Sequence, residues 1–121
     1  MKHRPTVLIC EDEISLRELV RVAVDSDYRI AETGDGLEAT ELVKELRPDV
    51  VVLDLMLPGR HGLDVLRDIR RDADLSHIRV VVITAGNQAK EAVLAQGADR
   101  FLRKPFDPGE LKTVVQELLA A

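Results

Sequence analysis

Charged and hydroxylic side chains recur in this sequence at one kind of place, the end of a short apolar run. Such runs, set between stretches of helical period, are typical of buried parallel strands. An open parallel sheet binds its ligand at the carboxyl ends of its strands, so side chains at those ends converge. The run ends carry Glu11 and Asp12, then Asp54, then Thr84, and finally Lys104. Three carboxylates, a hydroxyl and an ammonium group are therefore expected at one site.

The carboxylates of Glu11, Asp12 and Asp54 would repel one another at such a site. Two charges about 4 Å apart repel by roughly 4 kcal/mol at an effective dielectric constant of about 20, so the cluster favours a bound cation. Oxygen ligands suit Mg²⁺, which keeps several waters and takes one or two carboxylates together with a phosphate oxygen. The alternative for Glu11 and Asp12 is a solvated loop that caps the next helix, because a helix N-terminus favours anions.

Asp54 directly follows the apolar run Val50 to Leu53, and an acid at the end of a buried strand needs a partner or a role. The alternative is a strand end that exits into solvent. A carboxylate that attacks a phosphoryl group forms an acyl phosphate, and a metal and fixed donors must balance its charge. Thr84 and Lys104 could be those donors, although either alone is more often a capping hydroxyl or a surface ammonium. A cis peptide bond at Pro105 could aim Lys104 inward, although trans is commoner.

Strands and helices alternate along the chain. Strands are predicted over Thr6 to Cys10, Tyr28 to Glu32, Val50 to Asp54, Arg79 to Thr84 and Arg100 to Arg103. Apolar residues at helical spacing predict five helices. The first has Leu16, Leu19, Val20 and Ala23 on one face, and the second has Ala39, Leu42, Val43 and Leu46. The third has Leu63, Leu66 and Ile69, the fourth has Ala89, Ala92 and Val93, and the fifth has Leu111, Val114, Val115 and Leu118. Pro48 should stop the second helix, and the fourth should end near Gly97. This alternation predicts a doubly wound α/β fold, a five-stranded parallel sheet with helices on both faces.

Composition limits what else the chain could be. Its 121 residues fit one domain, and 45% hydrophobic with 32% charged residues is ordinary for a soluble globule. No apolar stretch is long enough for a membrane span, so a cytoplasmic location is the default expectation. The net charge of −5 and the scarcity of aromatic residues, Tyr28, Phe101 and Phe106, argue against direct binding to nucleic acid. Cys10 lies in an apolar run and is expected to be a buried packing residue.

Four segments carry a resemblance to a known family. They are Cys10 to Glu13, Leu53 to Gly59, the pair Thr84 and Ala85, and Lys104 to Phe106. Together they resemble the receiver domains of bacterial two-component response regulators, in particular single-domain, chemotaxis-regulator-like ones, over nearly the whole chain. The resemblance implies a flavodoxin-like strand order of 2-1-3-4-5. It also implies a phosphoprotein that signals in a two-component system or phosphorelay, and not an enzyme beyond self-phosphorylation from small donors and slow self-dephosphorylation.

The resemblance also implies a role for each residue at the metal and phosphoryl site. Asp54 would be the phosphoacceptor, and a sensor histidine kinase or phosphotransfer protein would supply the phosphoryl group. Asp12, Asp54 and the backbone carbonyl of Met56 would bind Mg²⁺, with Glu11 acting through water.

The remaining residues would form the switch. Thr84 and Lys104 would contact the phosphoryl oxygens, and phosphorylation would draw the Thr84 hydroxyl inward. Phe101 would then swing in behind it, although a plain core aromatic is the commoner role for such a residue. Pro105 would also belong to the switch. The change would be read by a downstream protein on the surface of the fourth helix, fifth strand and fifth helix, near residues 88–93 and 100–111.

Several positions depart from the family pattern. His61 stands where the family often has Asp, and a solvated loop histidine is a commoner role for it than a pH-sensitive contact. Gly86 and Met56 offer no polar side chain to order a hydrolytic water, which predicts a long-lived phosphoaspartate. Arg100 and Val114 replace residues of a charge-paired dimer, so a monomer or weak dimer is expected. The chain is expected to act alone by protein contact, with a fragment of a longer regulator as the alternative.

Three other functions use similar elements. An aspartyl-nucleophile phosphatase needs a second Asp two residues after the nucleophile, where Met56 stands. A flavodoxin-type flavin site needs a phosphate-binding loop after the first strand, where Glu11, Asp12 and Glu13 would repel the anion. The serious competitor is a receiver-like protein-binding module that signals without phosphorylation, and Mg²⁺-dependent chemistry at Asp54 separates the two.

Overall fold

Five strands and five helices alternate in the computed structural model, which describes residues 4–24 and 28–120. The strands are β1 (Thr6–Cys10), β2 (Arg29–Thr33), β3 (Val50–Asp54), β4 (Arg79–Thr84) and β5 (Arg100–Arg103). The helices are α1 (Ile14–Val24), α2 (Gly36–Leu46), α3 (Gly62–Arg71), α4 (Lys90–Ala95) and α5 (Pro108–Ala120). None of these helices is long and apolar enough to cross a membrane.

The strands form one parallel sheet in the order β2-β1-β3-β4-β5. This confirms the doubly wound, flavodoxin-like architecture. Every residue of β3 is buried, and so are five of the six residues of β4, as expected for central strands that are covered on both faces. The parallel register brings the carboxyl ends of β1, β3, β4 and β5 to one edge of the sheet.

The apolar core has two parts, one on each face of the sheet. One part packs α2, α3 and α4 against alternate residues of the strands, with Leu8, Leu53 and Val82 among its buried members. The other packs α1 and α5 against the residues that point to the opposite face, such as Ile9, Val52 and Ile83. This division follows from the period of two along a strand.

The strand predictions were more accurate than the helix-face predictions. Four strands have the predicted bounds, and β2 lies one residue later, at Arg29–Thr33. Leu19, Leu46 and Ala92 were assigned to buried helix faces, but all three are exposed. In α1 the buried residues are Val20 and Val24, so the face that packs on the sheet is rotated from the predicted one.

Helix ends and the final loop agree with the sequence signals. α2 ends at Leu46, two residues before Pro48, and Arg47 adopts the left-handed conformation of a helix C-cap. Gly97 follows α4 with a positive φ of 112°. The peptide bond between Lys104 and Pro105 is cis, the less common of the two alternatives.

Candidate functional site

Three acids meet at the carboxyl edge of the sheet. Asp54 is the last residue of β3, and Glu11 and Asp12 follow β1 directly. One carboxylate oxygen from each lies within 4.8 Å of the others. Glu11 is fully buried and Asp54 is 2% exposed, whereas Asp12 is exposed. The solvated-loop alternative is therefore wrong for Glu11, because a buried carboxylate cannot be a solvated cap.

Lys104 closes this cluster from the end of β5. Its Nζ donates to Asp54 Oδ2 at 2.8 Å and forms an ion pair with Glu11 Oε1 at 2.7 Å. Apart from this contact with Lys104, the buried Glu11 Oε1 has no hydrogen-bond partner in the described part of the chain. One ammonium group thus faces three carboxylates, and the cluster keeps an excess of negative charge.

The electrostatics of the site follow from this imbalance. Burial raises the pKa of the Glu11 carboxyl, and the nearby Asp54 charge acts in the same direction, against the opposing effect of Lys104. Burial alone would lower the pKa of Lys104, but its contacts with Asp54 and Glu11 outweigh burial and raise it. The ammonium group is therefore firmly charged at neutral pH, and a bound cation would relieve the remaining repulsion at Glu11.

Backbone groups fix the two buried acids. Asp54 Oδ1 accepts a hydrogen bond from the backbone N–H of Met56 at 3.0 Å, and Glu11 Oε2 accepts one from the N–H of Glu13 at 3.0 Å. The Met56 side chain is exposed, so its backbone is the part that lies at the site. The metal-binding role of the Met56 carbonyl stays a prediction.

Thr84 is buried at the end of β4, but its hydroxyl is engaged with its own loop. Thr84 Oγ1 accepts a hydrogen bond from the N–H of Gly86 at 3.0 Å. Phe101 is partly buried and packs against the part of the core that includes α4 residues. It therefore keeps some exposure to solvent. The roles of both residues in a switch, and their movement, stay predictions.

An apolar groove of about 370 Å³ opens beside Lys104. The residues that line it come from α1, from the loop before it, and from the loops after β4 and β5, and they are Glu13, Leu16, Leu19, Ala85, Lys104, Pro105 and Phe106. Pro105 is exposed and directly follows Lys104. Through Lys104, the groove borders the acidic cluster.

Three residues that depart from the family pattern have structural explanations. His61 is the N-cap of α3, and its Nδ1 accepts a hydrogen bond from the N–H of Leu63 at 3.1 Å. Arg100 pairs within the chain with Glu117 at 2.8 Å, and Val114 is buried in the core. The charge pair at Arg100 is therefore satisfied inside one molecule.

Two arginines near the site could not be assigned from the sequence. Arg17 donates to the carbonyl of Glu11 at 2.9 Å and pairs with Glu32 at 3.3 Å, so it braces the loop that carries the acids. Arg103 contacts the loop after β4. Arg103 lies at the end of a predicted strand, which indicated a role at the site. Arg17 lies on an amphipathic helix, and nothing in the sequence distinguished it from a solvated surface arginine.

The fold and site define a class of protein. A flavodoxin-like sheet normally binds its ligand at the strand ends, and here that edge carries a buried acidic cluster with one lysine instead of a phosphate-binding loop. Such a cluster could hold a cation and present a carboxylate to a ligand.

The chain belongs to the response regulator receiver domain family, whose model it matches over residues 7–116. It is 40% identical over 119 residues to the DNA-binding response regulator MtrA of Mycobacterium tuberculosis, an alignment that covers 96% of this chain and 51% of that protein. The chain thus spans about half the length of the curated relatives it matches. The family assignment confirms the resemblance and makes the chain a receiver domain of two-component signal transduction.

Solved structures agree with the assignment. The signal receiver domain of a LuxO-type repressor from Vibrio parahaemolyticus is 34% identical, with a TM-score of 0.89 over 98% of this chain and 92% of that one. The Mn²⁺-bound form of the response regulator Rcp1 is 26% identical, with a TM-score of 0.80 over 96% of this chain and 92% of that one. Both are receivers of the same fold.

Proposed function

We propose that Asp54 of this chain accepts a phosphoryl group in a Mg²⁺-dependent reaction and that the phosphorylated form binds a downstream protein. The observation that carries the proposal is the cluster of Asp54, Glu11 and Asp12 with Lys104 at 2.8 Å from Asp54 Oδ2. A carboxylate nucleophile, a cation site and a fixed positive charge are the parts that phosphoryl transfer requires.

The proposed reaction is a direct displacement at phosphorus. An oxygen of the Asp54 carboxylate attacks, an acyl phosphate bond forms, and the bond to the donor breaks, so that histidine or acetate leaves. Asp54 Oδ1 is held by the N–H of Met56 and Oδ2 by Lys104, and these contacts orient the carboxylate. The Lys104 ammonium group can then contact the transferred phosphoryl group and stabilise its negative charge.

The donor set suits Mg²⁺, because all candidate ligands are oxygens of Glu11, Asp12, Asp54 and the Met56 carbonyl. When bound, the ion would neutralise charge on the phosphoryl group. Within the described part of the chain, the buried Glu11 Oε1 contacts Lys104 and has no further hydrogen-bond partner, which fits a site that a cation completes. The Mn²⁺-bound state of Rcp1, a relative of the same fold, supports this assignment.

The partners that we propose follow from the family and the surface. A histidine kinase or phosphotransfer protein would reach Asp54 across the apolar groove beside Lys104. We place the exchange in the cytoplasm, the usual location of this family, and the reader of the signal on the surface of α4, β5 and α5. Any DNA binding described for relatives such as MtrA belongs to those longer proteins.

Intact mass spectrometry after incubation with acetyl phosphate tests the proposal. We expect a gain of one phosphoryl group that requires Mg²⁺ and is lost in Asp54→Asn. Asp68→Asn is the matched control, because Asp68 is a partly exposed acid of α3 that pairs with Arg60. Equal incorporation by wild type and Asp54→Asn would overturn the proposal by placing the phosphoryl group on another residue. No incorporation by wild type would overturn it in favour of a module that signals without phosphorylation.

A further inference from the structure

Arg103, at the end of β5, holds the loop that follows β4. One guanidinium nitrogen, Nη1, donates to the carbonyl of Gly86, and Nη2 donates to the carbonyl of Gln88 at 2.7 Å. The guanidinium also lies over the ring of Phe101, 5.0 Å from its centroid. A planar fork of donors can fix two carbonyls at once and stack on an aromatic face. Arg103 thus joins the loop to the aromatic of the switch.

Gly86 connects this arginine to the switch hydroxyl. The carbonyl of Gly86 accepts from Arg103, and its N–H donates to Thr84 Oγ1 at 3.0 Å. Arg103 and Thr84 are also register partners across β4 and β5. An inward movement of the Thr84 hydroxyl must therefore break its bond to Gly86 or move a loop that Arg103 holds by two carbonyls.

The loop is compact on its other side as well. Gln88 Oε1 is buried without a hydrogen-bond partner in the described part of the chain. A Cβ atom added at Gly86 would lie 2.3 Å from this oxygen, so the carboxamide of Gln88 fills the space that a side chain at position 86 would take.

We propose that Arg103 is a latch that keeps the loop of residues 86–88, and through Gly86 the Thr84 hydroxyl, in the unphosphorylated position. Arg103 is a positioning residue in this account, because it acts through Gly86 and Phe101 and touches no reacting atom. The inference rests on the proposed function, since the latch opposes the movement that phosphorylation of Asp54 requires. Removing it shifts the population toward the phosphorylation-competent form before any donor binds.

The rate of phosphorylation by acetyl phosphate with Mg²⁺ tests the latch. We expect Arg103→Gln to react about fivefold faster than wild type, the effect of losing roughly one net hydrogen bond that favours the resting state. Arg100→Gln is the matched control, because Arg100 is on the same strand and pairs with Glu117 instead of the loop, and we expect it to react at the wild-type rate. An unchanged or slower reaction of Arg103→Gln would overturn the proposal.

Arg103→Lys separates the forked contact from the charge. Lysine keeps the positive charge but cannot hold two carbonyls in a fixed geometry, so we expect this variant to react faster than wild type as well. A wild-type rate for Arg103→Lys would show that charge alone matters and would overturn the latch.

Amide exchange of Gly86, measured by NMR without any phosphodonor, tests the latch independently of phosphorylation. We expect the Gly86 N–H to exchange faster with solvent in Arg103→Gln than in wild type, and at the wild-type rate in Arg100→Gln. Unchanged exchange in Arg103→Gln would overturn the latch even if Asp54 is phosphorylated. A failure of wild type to take up phosphate would instead refute the proposed function, while the exchange result would still decide whether Arg103 holds the loop.

Discussion

The two ends of the sheet each carry a charged cluster, and the clusters differ in how completely their charges are paired. At the amino ends of β4 and β5, Arg70 donates to the carbonyls of Gly97, Ser76 and Ile78 and pairs with Asp99 at 2.9 Å. Asp99 also accepts the N–H of Val80 at 2.8 Å. Donors and acceptors are balanced there, and the cluster joins α3 to two strands.

The carboxyl end has the opposite character. Lys104 lies between Glu11 and Asp54, with Asp12 alongside, and among the described residues Glu11 Oε1 has no hydrogen-bond partner besides this ammonium group. A balanced cluster stabilises the fold, whereas an unbalanced one has a cost that a ligand can relieve. From this difference we expect the paired cluster to serve stability and the acidic cluster to serve the proposed binding chemistry.

Replacing Lys104 should have the largest effect on chemistry. We expect Lys104→Gln to slow phosphorylation by acetyl phosphate about a hundredfold, because a fixed positive charge no longer faces the transferred group. The time course of intact mass measures this rate. Arg70→Gln, at the other end of the sheet, is the control and should react at the wild-type rate when folded. Equal slowing by both substitutions would contradict the expectation that only the carboxyl-end cluster takes part in phosphorylation.

Replacing Asp99 should affect stability instead. Asp99→Asn weakens the pair with Arg70 at a site that is about a quarter exposed, so we expect the free energy of unfolding to fall by about 2 kcal/mol. Urea denaturation gives the value, and the phosphorylation rate of the folded protein should not change. Asp74 is an exposed acid of the loop between α3 and β4. As the control, Asp74→Asn should change the free energy of unfolding by less than about 0.5 kcal/mol. A similar loss in both variants would contradict a structural role for the Arg70 cluster.

The smallest effect concerns the pH dependence of stability. Because burial raises the pKa of Glu11 above the ordinary 4.5, the folded protein without Mg²⁺ binds this proton more tightly than the unfolded chain. As pH rises from 4.5 through the folded pKa, Glu11 loses its proton in the folded protein. The contribution of that proton to the free energy of unfolding is then lost. Relative to wild type, Glu11→Gln should therefore gain stability as pH rises across that window.

Thermal or urea unfolding at several pH values, without Mg²⁺, checks this sign. Glu45→Gln, on the exposed side of α2, is the control and should show no such trend. If Glu11→Gln instead loses stability relative to wild type as pH rises across this window, the effect of Lys104 on Glu11 outweighs that of burial, and the predicted sign is wrong.

The sequence was most informative where burial is continuous. Val50 to Leu53 and Val80 to Ile83 are buried on both faces of the sheet, and unbroken apolar runs of that length have few alternatives to a central strand. The predicted strand ends then placed the acids and Lys104 at one site, because parallel strands have their carboxyl ends at the same edge of the sheet. The helix faces were less determined. α1 carries more apolar residues than it buries, and Ile14, Leu19 and Val22 remain exposed.

Contacts made by long side chains across the chain could not be predicted. Arg70 reaches Asp99, 29 residues away, and Arg103 reaches the loop at Gly86, and neither contact leaves a periodic pattern. The same holds for Arg17 at the carbonyl of Glu11. Such contacts depend on the rotamers that the packed fold allows, and these are set after the backbone is in place.

The most direct test of the central claim is to locate the phosphoryl group. Borohydride reduces an aspartyl phosphate to homoserine, and tandem mass spectrometry of the digested protein identifies the converted residue. After treatment with acetyl phosphate and Mg²⁺, conversion should occur at Asp54 and should be absent when either reagent is omitted. Conversion at Asp12, Glu11 or another acid, or none at all, would contradict the assignment of Asp54 as the phosphoacceptor.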